Sequence, residues 1–252
     1  MVDLLLLTVD RADLTRDTLL QNLRNAGHEY RLYHADNGSA DGRVIEFVKQ
    51  FSPVVQVLNK ENRGIAPMLN VLLKMSTSPF ICTLAPDILL PDRWLDELVK
   101  HYNLMMLYGK NPGGAGIHTV ERGGIPTDIM PGITVDYTDT LFGNLFLERS
   151  VFNKVGYFNE TYGLYGIEDA DYNYRLYKNG FTQFYLHGLK GEHIGHDWGQ
   201  ETPYRKLKTE SLAAASQKWG PVRDLYDSNP AALYIPADGK NIIDQVQFFG
   251  EG

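Results

Sequence analysis

The sequence predicts an α/β protein with a mostly parallel central sheet covered by helices on both faces. Up to about residue 110, short apolar runs alternate with segments of helical spacing, starting with a strand at Asp3–Val9 and a helix at Asp13–Ala26. Strands that alternate with helices imply right-handed crossovers and parallel pairing. The length of 252 residues and the 43% hydrophobic content allow a sizeable core, in one domain or one and a half.

Each element is predicted from its apolar pattern and its flanking residues. In the first helix, leucines at helical spacing lie on one side and Gly27 is a stop signal. Pro91 is placed to open the helix that follows it at its first turn. The predicted strands are Asp3–Val9, Tyr30–Ala35, Val54–Leu58, Phe80–Leu84, Leu141–Leu147 and Thr182–Leu186. The predicted helices are Asp13–Ala26, Gly42–Phe51, Ile65–Met75, Asp92–Leu107, Arg149–Val155, Asp169–Asn179 and Glu201–Trp219.

The segment Asn111–Asp139 is rich in glycine and proline and has few helical signals, so it is predicted as a long loop. Such a loop inside a compact domain is either a substrate-facing lid or an irregular connection, and the sequence leaves both readings open. The tail from Pro221 to Gly252 has weak signals and is interpreted as a C-terminal extension.

Net charge and cysteine content exclude several classes of protein. The formal net charge of −7 argues against a chain that holds nucleic acid by its overall field. Cys82 is the single cysteine, which excludes an intramolecular disulfide and a cysteine metal cluster, and its apolar surroundings predict a buried side chain. No signal peptide and no membrane span is recognised, so a soluble, cytoplasmic protein is expected.

Three carboxylates, Glu168, Asp169 and Asp171, lie within four residues at the start of a predicted helix. Acids there cap free N–H groups and complement the helix dipole. Adjacent acids that follow a glycine-rich loop also suit an active site, where one carboxylate takes a proton and its neighbour positions a substrate. This segment alone does not decide between capping and catalysis.

Polar residues follow each of the first four strands, at the edge where ligands bind in parallel sheets. The four strand ends are Thr8-Val-Asp-Arg11, Asp36-Asn-Gly-Ser-Ala-Asp-Gly42, Asn59-Lys-Glu-Asn-Arg-Gly64 and Ala85-Pro-Asp-Ile88. Turn chemistry explains any one of them, but four at one edge predict a nucleotide site. Asp36 is suited to accept a hydrogen bond from a base N–H, and Asp87 to bind a divalent cation that bridges a diphosphate.

In order and spacing, these motifs resemble glycosyltransferase family 2, whose fold is GT-A. The resemblance covers about residues 3–200 and rests on a series of motifs. These are Thr8…Arg11, Asp36-Asn-Gly-Ser-x-Asp-Gly42, Asn62-Arg-Gly64…Asn70, Asp87…Pro91…Trp94-Leu95, Gly156-Tyr-Phe-Asn-Glu160 and Gly166-x-Glu-Asp-x-Asp…Arg175.

The resemblance implies a role for each matching residue. It makes Asp169 the catalytic base, with Glu168 beside it to hold hydroxyl groups of acceptor or donor. It places the metal at Asp87 with a histidine after the following strand, either His193, preferred on spacing, or His196. The donor site that it implies comprises Thr8, Asp10, Arg11, Asp36, Asn37, Arg63, Gly64, Pro86 and Asp87. His118 and His187 are among the histidines without a companion at metal-ligand spacing, and are interpreted as ordinary polar residues.

One departure from the family concerns the metal. Ala85 replaces the first aspartate of the family's DxD motif, leaving one carboxylate, so the other ligands of Mn²⁺ or Mg²⁺ would be diphosphate oxygens, water and a histidine.

Of the three acids at the helix start, Asp171 is left with a capping or structural role.

The resemblance implies an inverting transfer of a sugar from a nucleotide-sugar, with a UDP-sugar as the first choice, to a hydroxyl of a saccharide or other acceptor. The expected organisation is a GT-A domain over residues 1–220, with a nucleotide-binding half (1–110) and an acceptor half (111–220), followed by the extension 221–252. A sugar- or nucleotide-binding module without catalysis, and a sugar-phosphate nucleotidyltransferase, are the alternatives.

Overall fold

The computed structural model describes residues 1–119, 124–138, 141–164 and 168–194, together with the backbone of a strand at 245–248. Its strands are β1 Val2–Thr8, β2 Tyr30–Asn37, β3 Val55–Asn59, β4 Phe80–Leu84, β5 Ile88–Leu89, β6 Pro112–His118, β7 Ile125–Met130, β8 Ile133–Thr138, β9 Phe146–Glu148, β10 Thr182–Lys190, β11 Glu192–His193 and β12 Gln245–Phe248. Its helices are α1 Ala12–Arg24, α2 Arg43–Lys49, α3 Ile65–Met75, α4 Trp94–Leu107, α5 Arg149–Val155 and α6 Glu168–Lys178, with a 3₁₀ turn at Glu160–Tyr162.

Ten strands form one sheet in the order β12-β3-β2-β1-β4-β9-β6-β10-β8-β7, and β5 pairs with β11 in a separate ladder. The strands from β3 to β4 are parallel to one another, as are β6 and β10, whereas β9 and the outer strands β7, β8 and β12 pair antiparallel. The predicted α/β class with helices on both faces of a largely parallel central sheet is confirmed.

Alternate residues of β1 face opposite sides of the sheet, as the period of a strand requires. Leu4 and Leu6 pack in one core with α1 and α4, and Leu5 packs in a second core with α3, α5 and α6. The burial of β1 on both faces explains why its sequence is a continuous apolar run rather than an alternating one. Cys82 is buried in the first core, as predicted.

The prediction of a long loop over Asn111–Asp139 is wrong, because this segment contains β6, β7 and β8. The glycines of β6 are there because its neighbours leave no room for side chains. A Cβ on Gly113 would lie 2.4 Å from Cβ of Phe181, and one on Gly114 would lie 2.9 Å from Leu141 Cδ1. A composition typical of loops therefore belongs to a fully buried strand.

Element boundaries shift by small amounts elsewhere. The helix predicted from Asp92 starts at Trp94, so Pro91 precedes it rather than opening its first turn. The strand predicted over Leu141–Leu147 is reduced to Phe146–Glu148. The predicted helix Glu201–Trp219 lies outside the described residues. Within the described part of the chain, no helix is long and apolar enough to cross a membrane.

Candidate active site

The parallel strands β1, β2, β3 and β4 end at one edge of the sheet, here called the carboxyl edge. Thr8 at the end of β1 pairs with Asp36 of β2, and Asp36 in turn pairs with Leu58 of β3. The polar residues that follow these strands are therefore brought to the same edge, as the sequence predicted.

Asp36 is held rigidly at this edge, with 1% of its surface exposed. Its Oδ1 accepts a hydrogen bond from the backbone N–H of Ser39 at 2.9 Å. Its Oδ2 accepts from Ser39 Oγ at 2.5 Å and from Thr8 Oγ1 at 3.0 Å. A carboxylate accepts about four hydrogen bonds, so these three orient the group and leave it the capacity for a further donor.

A buried histidine, His34, forms a hydrogen bond with the hydroxyl group of Thr8. Gln56 Nε2 lies 2.9 Å from His34 Nδ1, and His34 Nε2 lies 2.8 Å from Thr8 Oγ1. Since the Gln56 amide N–H also donates to the Ile45 carbonyl, Nδ1 is the acceptor and Nε2–H donates to Thr8. Thr8 can then donate to Asp36. Burial lowers the pKa of His34 to about 3, so the ring is neutral at neutral pH.

The loop after β1 is tied to the loop after β2. Asp10 and Arg11 both have left-handed backbones, with φ of 51° and 56°, which is rare for residues other than glycine. Asp10 N–H donates to Ser39 Oγ at 2.7 Å, and Asp10 Oδ1 accepts from Ala40 N–H at 2.8 Å. These bonds hold the turn that directs Arg11 toward Asp87.

Asp87 lies between two cationic or potentially cationic groups. Its Oδ2 is 3.1 Å from His193 Nε2 and 3.6 Å from Arg11 Nη1. Burial by itself raises the pKa of the Asp87 carboxyl, but the hydrogen bond from His193 and the charges of His193 and Arg11 outweigh it, so the pKa is below its ordinary value. The carboxylate form is therefore the stable one.

The pairing of β5 with β11 explains why His193, far along the chain, reaches Asp87. His193 is opposite Ile88 in this ladder, and Ile194 N–H donates to the Asp87 carbonyl at 3.0 Å. His193, the preferred candidate, therefore lies beside Asp87, where the family resemblance expects a histidine. His196, the other candidate, lies outside the described residues.

Helix α1 positions the segment around Asp87 through two buried side chains that sequence reasoning missed. Thr18 Oγ1 donates to the Pro86 carbonyl at 2.6 Å, and Asn22 Nδ2 donates to the Ile88 carbonyl at 2.7 Å. The sequence signal was the set of polar residues on the buried face of α1, which carries Thr15, Thr18 and Asn22 among apolar residues.

The loop after β3 is joined to the end of β2. Asn37 Nδ2 donates to Asn62 Oδ1 at 2.8 Å, and Asn37 Oδ1 accepts from the Arg63 N–H at 2.9 Å. Gly64, with φ of 98°, leads into α3. A Cβ on Gly64 would lie 2.6 Å from the Gly163 carbonyl oxygen, so only glycine allows this approach.

That contact connects the loop after β3 to the segment before Glu168 and Asp169. Ile65 N–H donates to the Leu164 carbonyl at 3.2 Å, and Asn70 holds the Phe158 backbone by hydrogen bonds of 2.9 and 2.8 Å. Glu168 and Asp169 are the first residues of α6, and both are partly exposed.

Asp171 has the structural role predicted for it, although not as a surface cap. It is fully buried and pairs with Arg175 at 2.9 Å, where both side chains have 0% exposure. Tyr162 donates to Asp171, and Arg175 donates to the carbonyls of Val155 and Tyr157. This pair ties the first half of α6 to Tyr162 and to the backbone at the end of α5.

An open cavity of about 470 Å³ lies beside the Asp87 site, against Arg11 and Ile194. Its other charged lining residues are Asp10, Asp13, Asp41 and Arg43. Asp36, Asp87 and Asp169 do not line it, so it borders the polar centre rather than containing it.

Comparison with known proteins identifies the N-terminal part of the chain. Residues 5–104 match the family described as Glycosyl transferase family 2. No curated protein matches the chain in a sequence comparison.

Solved structures with a similar fold are glycosyltransferases. A mannosyltransferase from Pyrobaculum calidifontis, in complex with GDP-Man and Mn²⁺, has a TM-score of 0.60 at 17% identity, covering 92% of this chain and 80% of that one. S. aureus TarS 1-349 in complex with UDP-GlcNAc has a TM-score of 0.56 at 16% identity, covering 80% of this chain and 62% of that one. GalNAc-T7 with UDP, GalNAc and Mn²⁺ has a TM-score of 0.62 at 13% identity, covering 92% and 51%.

The present chain thus spans less than two thirds of the length of TarS 1-349 and of GalNAc-T7. Sequence identities this low show a similar fold and nothing further. The fold agrees with the family match and with the resemblance predicted from the motifs. Residues 5–104 thus match the model of glycosyl transferase family 2, within a chain whose fold is GT-A.

Proposed function

We propose that this protein is an inverting glycosyltransferase that moves a sugar from a nucleotide-sugar to an acceptor hydroxyl. The observation that carries the proposal is the grouping of Asp87, His193 and Arg11 at the carboxyl edge of a family 2 domain. The fold neighbours in complex with GDP-Man, UDP-GlcNAc or UDP support a nucleotide-sugar as the donor.

Asp87 and His193 fit a divalent cation. Octahedral Mg²⁺ has ligands at about 2.0–2.1 Å, so adjacent ligands lie roughly 3 Å apart. The 3.1 Å between Asp87 Oδ2 and His193 Nε2 matches that spacing. No group of three or more His, Cys, Asp or Glu side chains suited to a metal occurs among the described residues, so the proposal assigns the other positions to diphosphate oxygens and water.

A bound Mn²⁺ or Mg²⁺ would supply positive charge to the departing diphosphate. Arg11, beside Asp87, is placed to contribute a second positive charge to the same leaving group. Asp36, fixed by Thr8 and Ser39, accepts a hydrogen bond from the base, and the N3–H of uracil is the donor that suits it best. UDP-sugars are therefore the first choice.

In the proposed mechanism Asp169 takes the proton of the acceptor hydroxyl, which attacks the anomeric carbon in line. Glu168 holds hydroxyl groups beside it. The buried Asp171–Arg175 pair supports this assignment, because it holds the first turns of α6, which carry both acids. The contact of Gly64 with Gly163 positions the segment that ends at Leu164.

The replacement Asp169→Asn tests the assignment, with Asp92→Asn, an exposed aspartate, as the matched control. Calorimetry with UDP and GDP, with and without Mn²⁺, measures donor-site binding, and a nucleotide-release assay with a panel of nucleotide-sugars measures turnover. Asp169→Asn should abolish turnover and leave nucleotide binding within about twofold. Normal turnover in this variant would refute Asp169 as the base.

The same experiment distinguishes the proposed enzyme from a binding module without catalysis. The feature that favours the module is Ala85, which replaces the first aspartate of the DxD motif. Tight nucleotide binding by the wild-type chain without hydrolysis or transfer of any donor would favour the module. If product forms, the coupling constant of its anomeric proton decides between inversion and retention.

A further inference from the structure

Three polar side chains, distant in sequence, meet in the second half of the sheet. His118 ends β6, Asp136 lies in β8 and His187 lies in β10. His118 Nε2 is 3.0 Å from Asp136 Oδ2, and His187 Nδ1 is 2.8 Å from Asp136 Oδ1. These two histidines have no companion at metal-ligand spacing in the sequence, but in the fold one carboxylate joins them. They form the His118–Asp136–His187 cluster.

A bulge in β10 directs His187 to this position. Tyr185 of β10 pairs with Gly116 of β6, but the next pairing is Lys190 with His118, so five steps along β10 correspond to two along β6. Gly188, within the bulge, has φ of 77°. Bulges of this kind re-aim side chains and are frequent next to active sites.

The cluster is rigidly supported. The His118 ring stacks on Tyr185, with ring centroids 4.1 Å apart and an angle of 26° between planes. The hydroxyl of Tyr185 accepts a hydrogen bond from the Phe142 N–H at 2.9 Å. A Cβ on Gly124, the residue before β7, would lie 2.6 Å from Cβ of Asp136, so the chain packs tightly against Asp136 at this point. A ligand at this site would meet a preformed surface.

The cluster shares a face of the sheet with the helix of the proposed base. Tyr185 packs in the same core as Leu176 of α6. Asn173, also on α6, donates to the carbonyls of Asp169 at 2.7 Å and Leu141 at 3.1 Å. Leu141 directly precedes Phe142, whose N–H contacts Tyr185. A short chain of contacts thus runs from the turn of Asp169 to the cluster.

The cluster is also joined to the proposed metal site. His118 lies at the carboxyl edge, because β6 runs in the same direction as β4 through their common antiparallel partner β9. Its carbonyl accepts from Gly191 N–H at 2.8 Å, two residues before His193. The cluster therefore lies on the acceptor half of the edge that holds Asp87.

Hydrogen bonding fixes the tautomer of His187. A carboxylate only accepts hydrogen bonds, so the Nδ1 that faces Asp136 carries a proton, and in the neutral ring Nε2 carries the lone pair. The His187 side chain is 48% exposed, whereas those of His118 and Asp136 are 10% exposed. The arrangement is a buried carboxylate and a buried histidine that orient one accessible imidazole.

We propose that His187 binds the acceptor, with Nε2 accepting a hydrogen bond from a hydroxyl group of a saccharide, and that Asp136 and His118 are its positioning residues. This inference rests on the proposed function and adds the class of acceptor to it. An imidazole acceptor held by a carboxylate selects a hydroxyl donor and discriminates against acceptors that lack one.

Saccharide binding to the nucleotide-loaded protein tests the inference. The probes are the methyl glycosides of glucose, galactose, mannose and N-acetylglucosamine, with the protein saturated by UDP or GDP and Mn²⁺, and binding is followed by saturation-transfer NMR. At least one glycoside should bind, and His187→Ala should weaken it at least tenfold while the Kd of the nucleotide changes less than twofold.

His28→Ala is the matched control. His28 also directs Nδ1 at an aspartate, Asp96, at 3.6 Å, but it precedes β2 and so lies at the opposite edge of the sheet. Its replacement should leave glycoside binding unchanged. A long-range ¹⁵N–¹H spectrum of the wild-type protein should show His187 as the Nδ1–H tautomer, which leaves the Nε2 lone pair for a hydroxyl donor.

Three results would overturn the inference: no glycoside binding to the nucleotide-loaded wild type, binding that His187→Ala leaves unchanged, or an Nε2–H tautomer at His187. Failure of the proposed function has a different signature, because the wild-type protein would then bind neither UDP nor GDP. The two failures are therefore distinguishable.

Discussion

Acid should destabilise the fold through one buried side chain, His34. Its pKa is about 3 in the folded chain, against an ordinary value of 6.5, because burial disfavours the charged ring. A histidine with a lowered folded pKa contributes stability that is complete above pH 6.5 and is lost as the pH falls toward 3. At pH 4.5 the unfolded chain is protonated at this group and the folded chain is not.

The magnitude follows from the two pKa values. Each pKa unit is worth roughly 1.4 kcal/mol, so the two units between pH 6.5 and pH 4.5 correspond to about 3 kcal/mol. This is an upper figure. Rotation of the Gln56 amide would turn its Oε1, a buried atom without a hydrogen-bond partner in the described part of the chain, toward a protonated Nδ1.

Urea unfolding at pH 7.0 and pH 4.5, for the wild type and for His34→Gln, measures this contribution. The variant lowers stability at both pH values but removes the titrating ring, so acid should cost the wild type up to about 3 kcal/mol more than it costs the variant. Carboxylates elsewhere titrate in both proteins and cancel in the comparison. Equal losses in the two proteins would refute the argument.

Three further predictions follow from the site. Asp171→Ala leaves the buried Arg175 charge without its partner and should lower the free energy of unfolding by about 3–5 kcal/mol, measured in urea. Gly64→Ala forces a Cβ against the Gly163 carbonyl and should lower both stability and turnover, the first by about 1–3 kcal/mol. Asp87→Asn should weaken Mn²⁺-dependent UDP binding by more than the roughly tenfold typical of an outer-shell partner, as measured by calorimetry.

Each of these changes has a control. Gly109→Ala places a side chain at a similarly positive φ of 67° with nothing within 4 Å, so it reports the backbone cost alone, roughly 1 kcal/mol, and should leave turnover intact. Calorimetry without metal is the control for Asp87→Asn. If metal-free binding fell equally, Asp87 would act on the nucleotide directly. For Asp171→Ala, an unchanged unfolding midpoint would contradict the buried ion pair.

The nucleotide half of the site was largely predictable because its residues are local in sequence. Asp36 and Ser39 are three residues apart, and their hydrogen bonds form within one turn. Asp87 follows β4 directly.

The second half of the sheet, which contains β6, β8 and β10, was predicted less well because its contacts are long-range. Glycines at Gly113, Gly114 and Gly116 were interpreted as loop chemistry, yet they mark a strand packed too closely for side chains. No sequence spacing connects His118, Asp136 and His187, because the register of β8 and the bulge in β10 decide their meeting.

The sequence by itself determined the α/β class, most element positions before residue 110, and a family resemblance confirmed for residues 5–104. Periodicity and turn residues encode these features locally. Only the tertiary structure decided that His193 reaches Asp87 through the β5–β11 ladder, that Asp171 is buried against Arg175, and that two histidines share Asp136. Strand pairing and burial bring together residues that are far apart along the chain, and no local pattern records which of them will meet.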